Sequence, residues 1–130
     1  MQPEVTSFAV PQISFTSAPA VEVRDLGNGE EISQKQALKE VEALNEQADP
    51  AFVWRLETAA ELFALRDLTH KNQHGAYSRD ESLKRDWYWT ADEHPAFEGA
   101  RVVVGFGNGN VSYNDVDGRC IARAVRVARQ

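Results

Sequence analysis

Residues 101–113 read RVVVGFGNGNVSY, and this stretch decides how the last third of the chain folds. A valine-rich run from Arg101 to Phe106 is followed by Gly107-Asn108-Gly109-Asn110 and then by Val111-Ser112-Tyr113. Asn-Gly between two β-forming runs is typical of a tight hairpin turn. Closely spaced glycines also occur in phosphate-binding loops, but those loops lead into a helix, whereas a strand-forming run follows here. The stretch therefore predicts an antiparallel β-hairpin.

More strand-forming sequence lies on both sides of this hairpin. The run from Trp87 to Thr90 predicts an aromatic strand, and residues 119–127 alternate well enough to form a closing strand after a turn at 114–118. Near the beginning of the chain, residues 21–26 predict a short strand that ends at Gly27-Asn28-Gly29.

Two helices are predicted before these strands. Ser33 and Gln36 have the spacing of a capping box, and the apolar residues after them predict a helix from about 34 to 47. Thr58 and Glu61 repeat the capping pattern, and they predict a second helix from about 59 to 69. This order of elements predicts an α+β domain in which two helices pack on a mainly antiparallel sheet.

Three bulky residues, Trp54-Arg55-Leu56, lie between the predicted helices and indicate a buried connector or strand. An arginine in such a position is expected to form an internal ion pair or to bond backbone carbonyls. All three tryptophans, Trp54, Trp87 and Trp89, are expected in the core.

The chain has 130 residues with 42% hydrophobic composition, which fits one domain with one core. Residues 1–20 hold three of the five prolines and are expected to form an N-terminal arm before a domain at 21–130. The arm carries apolar residues that would dock on the same domain or on a second subunit, namely Phe8, Val10, Ile13 and Phe15.

Charge and cysteine content narrow the class of protein. The formal net charge of -6 argues against direct nucleic-acid binding and against binding to anionic membranes. With no membrane-spanning run, no secretory signal pattern and a single cysteine, Cys120, we expect a cytoplasmic protein.

The arginines after Gly118 are expected to pair with carboxylates across the sheet, with an anionic-ligand stripe as the alternative. They are Arg119, Arg123, Arg126 and Arg129.

Residue types that carry out chemistry are few and scattered. The histidines, His70, His74 and His94, form no triad or metal-ligand pattern with Cys120, which is predicted to be a buried, unreactive thiol. Asp115-x-Asp117-Gly118 resembles half of a calcium loop, but Ala124 stands where that loop needs its last Glu, so a plain turn is favoured. We therefore expect no catalytic, cofactor-binding or metal site and no enzyme activity.

Five short motifs follow one another along the chain. They are Gln36-Ala37-Leu38, Trp54-Arg55-Leu56-x-Thr58-x-x-Glu61-Leu62, Tyr88-Trp89-Thr90, residues 103–113, and Arg123-Ala124-Val125-Arg126. In this order they resemble the DUF1566 domain of bacteria and phages, over about residues 21–129. The resemblance implies a fold related to C-type lectins and to formylglycine-generating enzymes. It also implies a binding module whose long loops choose the ligand.

The chain departs from this family at informative positions. Members often carry one cysteine in the first helix and one in the closing strand, and the corresponding positions here are Val41 and Ala124. The resemblance therefore implies that packing has replaced a disulfide, which suits a reducing compartment. Glu57 stands where members usually have proline. The carboxylate pattern of calcium-dependent sugar binding is not evident, so any lectin activity would have to be calcium-independent.

The main functional prediction is a non-catalytic module that recognises a protein partner through the loops 70–86 and 91–100. Long polar loops on a rigid core are frequent sites of function. The candidate partner-binding residues in these loops are His74, Tyr77, Arg79, Asp92, Glu93 and His94.

Two other functions stay open from the sequence. If Glu40, Glu42, Glu46 and Glu57 shared one face, the protein would suit an acidic, phage-encoded inhibitor of host defence that imitates nucleic acid in the site of a host enzyme. Alternatively, the arm at 1–20 mediates homo-oligomerisation, and the body binds a glycan or host receptor.

Overall fold

The computed structural model describes residues 20–107 and 110–129. The helices are α1 (Gln34–Gln47) and α2 (Ala59–Phe63). The strands, in chain order, are β1 (Ala20–Asp25), β2 (Ile32–Ser33), β3 (Phe52–Leu56), β4 (Arg66–Lys71), β5 (Tyr77–Ser78), β6 (Trp87–Glu93), β7 (Arg101–Gly105), β8 (Val111–Asn114), β9 (Arg119–Cys120) and β10 (Arg123–Ala128). Apart from Ala20, the predicted arm lies outside the described residues.

The described strands form four small antiparallel sheets, ordered β1-β10-β3, β2-β9, β4-β5 and β6-β7-β8. The mixed α+β class with mainly antiparallel pairing is confirmed, whereas the expected single sheet is wrong. Ile121 joins two of the sheets, because its N–H donates to the Trp87 carbonyl and its carbonyl accepts from the Trp89 N–H, both at 2.9 Å. No helix among the described residues is long and apolar enough to cross a membrane.

The predicted closing strand, residues 119–127, is interrupted. It divides into β9 and β10 because Ile121 leaves the β9 pairing to bond with β6. The predicted second helix is also too long. It ends at Phe63, and the next residues turn into β4, where Arg66 pairs with Ser78 and the Ser78 hydroxyl donates to the Leu65 carbonyl at 2.6 Å.

Other predicted elements are confirmed. Helix α1 has the predicted bounds, and the Ser33 hydroxyl accepts the Gln36 N–H at 3.1 Å. The Gln36 side chain bonds to Glu40 instead of closing the capping box, whereas the box of Thr58 and Glu61 is complete. Strands β7 and β8 pair as the predicted hairpin, although residues 108 and 109 of its turn lie outside the described residues.

Two clusters of buried residues form the core. One lies between α1, β3, β6 and β10 and holds Trp54 and Trp89; the other lies under α2 and holds Leu62, Leu83, Tyr88 and Phe106. Trp54 and Trp89 are buried as predicted, and the Trp89 Nε1–H donates to the Ile32 carbonyl at 2.9 Å. Trp87 is only half-buried.

The outer edge of β3 is covered by side chains. The Asn45 carboxamide accepts the Trp54 N–H at 2.8 Å and donates to the Trp54 carbonyl at 2.9 Å. Arg129 donates to the Phe52 carbonyl, and Arg55 donates to the Leu56 carbonyl at 3.0 Å. Arg55 also forms the predicted internal ion pair, with the Glu61 carboxylate at 2.7 and 2.8 Å.

Candidate functional site

The segment 70–86 is organised by the buried side chain of Asn72. Its amide nitrogen donates to the carbonyls of Asp80 and Leu83, each at 2.8 Å, and its oxygen accepts the N–H groups of His74 and Ala76, each at 2.9 Å. Because both donors and both acceptor positions of the amide are used, the segment has a fixed shape. The expectation of an irregular loop is therefore wrong for its first part, where the end of β4 turns back into β5.

Three predicted partner-binding residues lie on this hairpin. His74 is exposed in the turn, and Tyr77 is half-buried, with its N–H bonded to the Phe106 carbonyl at 2.8 Å. Arg79 is 70% exposed and pairs with Asp67 at 2.9 Å. Hydrogen bonds from Thr69, and then from Arg79, lower the pKa of Asp67 to about 2. Arg79 therefore already has a carboxylate partner within the domain.

The other three predicted residues lie where β6 ends. The exposed Asp92 accepts the Ala59 N–H at 2.6 Å and so caps α2. Glu93 is exposed and lies opposite Arg101 in the β6–β7 register. His94 is half-buried, and its Nδ1 accepts the N–H groups of Ala96 and Phe97 at 2.9 and 3.2 Å.

We call the surface formed by His94, Phe97, Tyr113 and Val116 the aromatic patch. Val116 belongs to it because its side chain lies beside Gly99, two residues after Phe97. The His94 ring lies 4.7 Å from the Phe97 ring and 4.0 Å from the Tyr113 ring, measured between centroids. Phe97, Tyr113 and Val116 are 66%, 57% and 54% exposed. Large apolar side chains grouped in this way on a surface usually mark an interaction site.

The two predicted loops lie at opposite ends of the β6–β7 hairpin. Tyr77 bonds next to Gly105, beside the start of β6, whereas His94 bonds to Ala100 beyond its end. Strand β6 has seven residues, so the separation is roughly 20 Å at about 3.3 Å per residue. The structure brings Asp92, Glu93 and His94 together, but it does not join them to His74, Tyr77 and Arg79 in one compact site.

A second feature, which we call the charged cleft, lies beside Tyr113 and is formed by Glu31, Lys84, Asp86, Trp87 and Arg119. A cavity of about 460 Å³ is lined by Glu31, Lys84, Asp86 and Arg119, and a second one of about 320 Å³ shares three of these residues and also borders Trp87 and Tyr113. The aromatic patch and the charged cleft thus share the Tyr113 side chain as a common wall.

Glu31 and Asp86 are the central pair of the charged cleft. Both residues line the two cavities, and hydrogen bonding to Asp86, followed by the negative charge of Asp86, raises the pKa of Glu31. Lys84 donates to the Gly29 carbonyl at 2.8 Å, and Arg119 donates to the Glu31 carbonyl at 2.7 Å. Each of these two cations is thus bonded to a backbone carbonyl in the wall of the charged cleft.

Cys120 lies behind the charged cleft and is buried, as predicted. Burial raises the pKa of its thiol to about 11, although the Asn114 amide donates to its sulfur at 3.3 Å.

The predicted turn at 114–118 is confirmed, with the Gly118 N–H bonded to the Asp115 carbonyl at 3.0 Å. The Asn114 carboxamide packs directly against Gly118, in the space that a side chain at this position would occupy.

Most arginines after Gly118 form ion pairs or hydrogen bonds within the domain. Arg123 forms a buried pair with Glu57, at 2.8 and 3.0 Å, and Arg126 lies 3.5 Å from Glu22, as expected for pairing across the sheet. Arg129 bonds backbone carbonyls. Because Glu57 is buried, it does not share an exposed face with Glu40, Glu42 and Glu46, and this part of the acidic-inhibitor hypothesis is wrong.

The histidines and the cysteine lie apart from one another in the fold. In residues 20–107 and 110–129, no three side chains of His, Cys, Asp or Glu are placed to hold a metal ion. His70 lies 3.5 Å from Glu81 on one hairpin, whereas His94 belongs to the aromatic patch and Cys120 is buried behind the charged cleft. The surface has exposed aromatic side chains, Phe97 and Tyr113, beside the polar cavity of the charged cleft.

Sequence reasoning found His94 but missed its neighbours. Phe97, Tyr113 and Val116 come from a loop, a strand and a turn, and only the folded chain brings them together. Phe97 and Val116 could have been found from the sequence, because each is a large apolar residue beside an acidic one, outside the strands. Glu31 and Asp86 were missed because they are 55 positions apart in sequence and each simply precedes a strand.

In comparisons with protein-family models, curated proteins and solved structures, the chain has no significant match. Its function is therefore inferred from the geometry of the site itself.

Proposed function

We propose that this protein is a non-catalytic module that recognises a protein partner, with the aromatic patch at the centre of the contact. The observation that carries the proposal is the exposure of Phe97 and Tyr113, both in contact with the fixed His94 ring. Aromatic residues at the centre of an interface contribute much of its binding energy. The loop 91–100 is thus the main contact segment.

A fixed patch suits recognition because little conformational entropy is lost on binding. The His94 ring accepts the backbone N–H groups of Ala96 and Phe97, and the backbone N–H of His94 donates to the Ala100 carbonyl at 2.8 Å. Gln34, at the start of α1, donates to the Gly99 carbonyl at 2.8 Å. The bonds of His94 close the loop on itself, and the Gln34 bond ties the loop to α1.

The segment 70–86 is more closely tied to the fold. Asn72, Ser78 and Asp80 are bonded internally, and Asp80 and Ser82 contact Arg123 at 3.2 and 3.1 Å. We therefore assign Tyr77 and Arg79 to a separate, peripheral surface.

Selection of a random peptide library on the immobilised protein tests the proposal, because it does not require the partner to be identified first. Peptides enriched on the wild type should bind roughly tenfold or more weakly to the Phe97→Ala and Tyr113→Ala variants, as expected for hot-spot residues. Leu68→Ala is the matched control, since Leu68 is 65% exposed on β4. Peptides that ignore the patch variants, or no enrichment at all, would refute the proposal.

We further propose that the module is a DUF1566-related domain of C-type-lectin-like fold. In support, the resemblance motifs fall on β3, the α2 capping box, β6, β7 and β10. Val41 packs against the buried cluster that contains Ala124, so the two positions of the family's cysteines belong to one cluster.

Restoring the cysteine pair tests this relationship. In a Cys120→Ala background, the pair Val41→Cys and Ala124→Cys should oxidise spontaneously and raise the melting temperature in the absence of reductant. The control pair, Leu44→Cys with Ala124→Cys, uses another residue of α1 that packs on the same cluster. Failure of the first pair to oxidise would count against the family relationship, while leaving the binding proposal untouched.

A further inference from the structure

The sheet β1-β10-β3 has apolar side chains on both of its faces. Its inner face carries Trp54, Leu56 and Ala124, which belong to the buried cluster beside α1. The opposite face, which we call the outer face, is formed by residues that lie opposite one another in the strand register, namely Ala20, Val23, Val53, Val125 and Val127. None of these five belongs to either buried cluster of the described residues.

Strand β10 is buried in the manner of a strand that lies between two layers. Val125 and Val127 on the outer face are buried, as is Ala124 on the inner face. A sheet with two apolar faces is stable when another layer of structure covers each of them. Helix α1 packs on the inner face, so the outer face calls for a second layer.

A cavity of about 400 Å³, which we call the apolar groove, lies on the outer face. Its apolar wall is formed by Ala20, Val23 and Val125 and, at the end of α2, by Ala64 and Leu65. Ala20, Val23 and Ala64 are exposed, so an occupant of the groove would remove apolar surface from water.

The charges around the apolar groove neutralise one another. Arg123 lies in its wall and pairs with Glu57 at 2.8 Å and with Asp80 at 3.2 Å. Glu61, also in the wall, pairs with Arg55 at 2.7 Å. Because each charged side chain in the wall already has an oppositely charged partner, the groove suits an uncharged, apolar occupant.

The chain itself supplies such an occupant directly before β1. Residues 5–19 contain no Asp, Glu, Lys, Arg or His, and they include the apolar residues Phe8, Val10, Ile13 and Phe15. Ala20 is both the first residue of β1 and part of the groove wall, so this segment adjoins the groove. Pro19 cannot donate a hydrogen bond to a neighbouring strand, which favours a chain that leaves the sheet at this point.

The length of chain before Ala20 is sufficient to reach across the outer face. Phe15 precedes Ala20 by five residues, and an extended chain of five residues spans up to about 17 Å. The two outer strands of a three-stranded sheet lie roughly 10 Å apart. In an extended segment, Ile13 and Phe15 lie on one side and Ser14 lies on the other, so both apolar side chains can face the sheet together.

We propose that residues 8–15 of the same chain fold back over the outer face and that Ile13 and Phe15 pack in the apolar groove. This segment is then the second layer of the sheet. The chain's own segment is favoured over that of a second copy, because a short tether gives an effective concentration on the order of millimolar. The groove shares no residue with the aromatic patch, so this contact is independent of the proposed function.

A spin label on Ser14 tests the proposal in the intact chain. In a Cys120→Ala background, Ser14→Cys carries a nitroxide, which broadens the NMR signals of nearby amides. We expect broadening at Ala64 and Val125 and none at Tyr113 in the aromatic patch. When labelled protein is mixed with unlabelled protein enriched in nitrogen-15, no broadening should appear, because the contact lies within one chain.

Matched substitutions assign the contact to its two surfaces. In the labelled protein, Phe15→Ala should remove the broadening and lower the melting temperature by about 5 °C, because a packed aromatic side chain is lost. Ala64→Glu places a charge in the apolar groove and should also remove the broadening. Ala60→Glu, at an exposed position of α2 outside the groove wall, is the matched control and should leave it unchanged.

Each other outcome would overturn the proposal. Broadening in the mixed sample would show that the segment docks on a second copy of the chain. Broadening at Tyr113, or broadening that persists in Ala64→Glu, would place the segment on another surface. No broadening at Ala64 and Val125 would show that the segment does not cover the outer face.

Discussion

Glu57 and Arg123 form a buried, two-pronged ion pair, with Nε to Oε1 at 2.8 Å and Nη2 to Oε2 at 3.0 Å. The two side chains are only 7% and 4% exposed. Arg123 also lies 3.2 Å from Asp80, so one guanidinium connects the end of β3, the start of β10 and the segment 70–86. Burial alone would raise the pKa of Asp80, but hydrogen bonds from Ser82 and the charge of Arg123 lower it.

Removing one member of this pair should destabilise the fold strongly. Glu57→Gln leaves the buried Arg123 charge without its main partner, and we expect a loss of about 3–5 kcal/mol in the free energy of unfolding. Glu22→Gln is the control, because the pair of Glu22 and Arg126 is partly exposed at 3.5 Å and should contribute less than about 1 kcal/mol. Urea unfolding at neutral pH measures both; similar losses would show that burial does not set the strength of the first pair.

Asn72→Asp should loosen the segment 70–86. The aspartate has no amide hydrogens, so the carbonyls of Asp80 and Leu83 lose their donor and face a carboxylate instead. We expect a loss on the order of 3 kcal/mol in the free energy of unfolding, from one buried and one partly buried hydrogen bond. Hydrogen exchange should report faster exchange at Ala76. Gln73→Ala, at the exposed neighbouring residue, should change little, and an equally large effect there would contradict this role for Asn72.

The Glu31–Asp86 pair should make stability depend on pH in a defined direction. The folded-state pKa of Glu31 is raised by the bond to Asp86, so its stabilising contribution is complete below the unfolded-state value and is lost as the pH rises through the folded-state value. Groups that face this pair include Glu30, Lys84, Arg119 and Cys120.

Glu31→Gln should therefore be more stable than the wild type at neutral pH, by about 0.5 kcal/mol since solvent screens the repulsion. The advantage should disappear near pH 4, where the pair retains its proton. Urea unfolding at both pH values tests this, with Glu93→Gln as an exposed control. A stability gain that is the same at both pH values would exclude carboxyl repulsion as its cause.

Cys120 should be inert in the folded protein. A thiol with a pKa of about 11 is only roughly 0.1% thiolate at pH 8, and its side chain is also shielded from solvent. Iodoacetamide should therefore leave the native protein unmodified and alkylate it once guanidinium chloride unfolds the chain. Mass spectrometry distinguishes the two, and rapid native alkylation would show that the site opens.

Local sequence signals predicted those parts of the fold whose causes are local. Helix α1 follows from the cap at Ser33 and the stop at Asp49-Pro50, and the β7–β8 hairpin follows from its turn chemistry. The second helix was overestimated because Leu62, Leu65 and Leu68 have helical spacing. In the fold, Leu68 is 65% exposed on β4, since pairing with β5 prevailed over the helical pattern.

The site was harder to predict because its contacts are distant in sequence. Glu57 has the pattern of a surface residue ahead of a helix cap, and only Arg123, 66 positions later, gives it a buried partner. His94 was found from its loop position, but its neighbour Tyr113 lies on β8. Local sequence patterns do not show which loops and strands come into contact in the fold.

The side chains along the outer edge of β3 also affect how the protein behaves when concentrated. Open strand edges are templates on which β-rich proteins aggregate. Here Asn45 occupies both backbone groups of Trp54, while Arg129 and Arg55 occupy carbonyls on either side. A strand from another chain would have to displace these bonds before it could pair, so this edge resists the growth of amyloid-like assemblies.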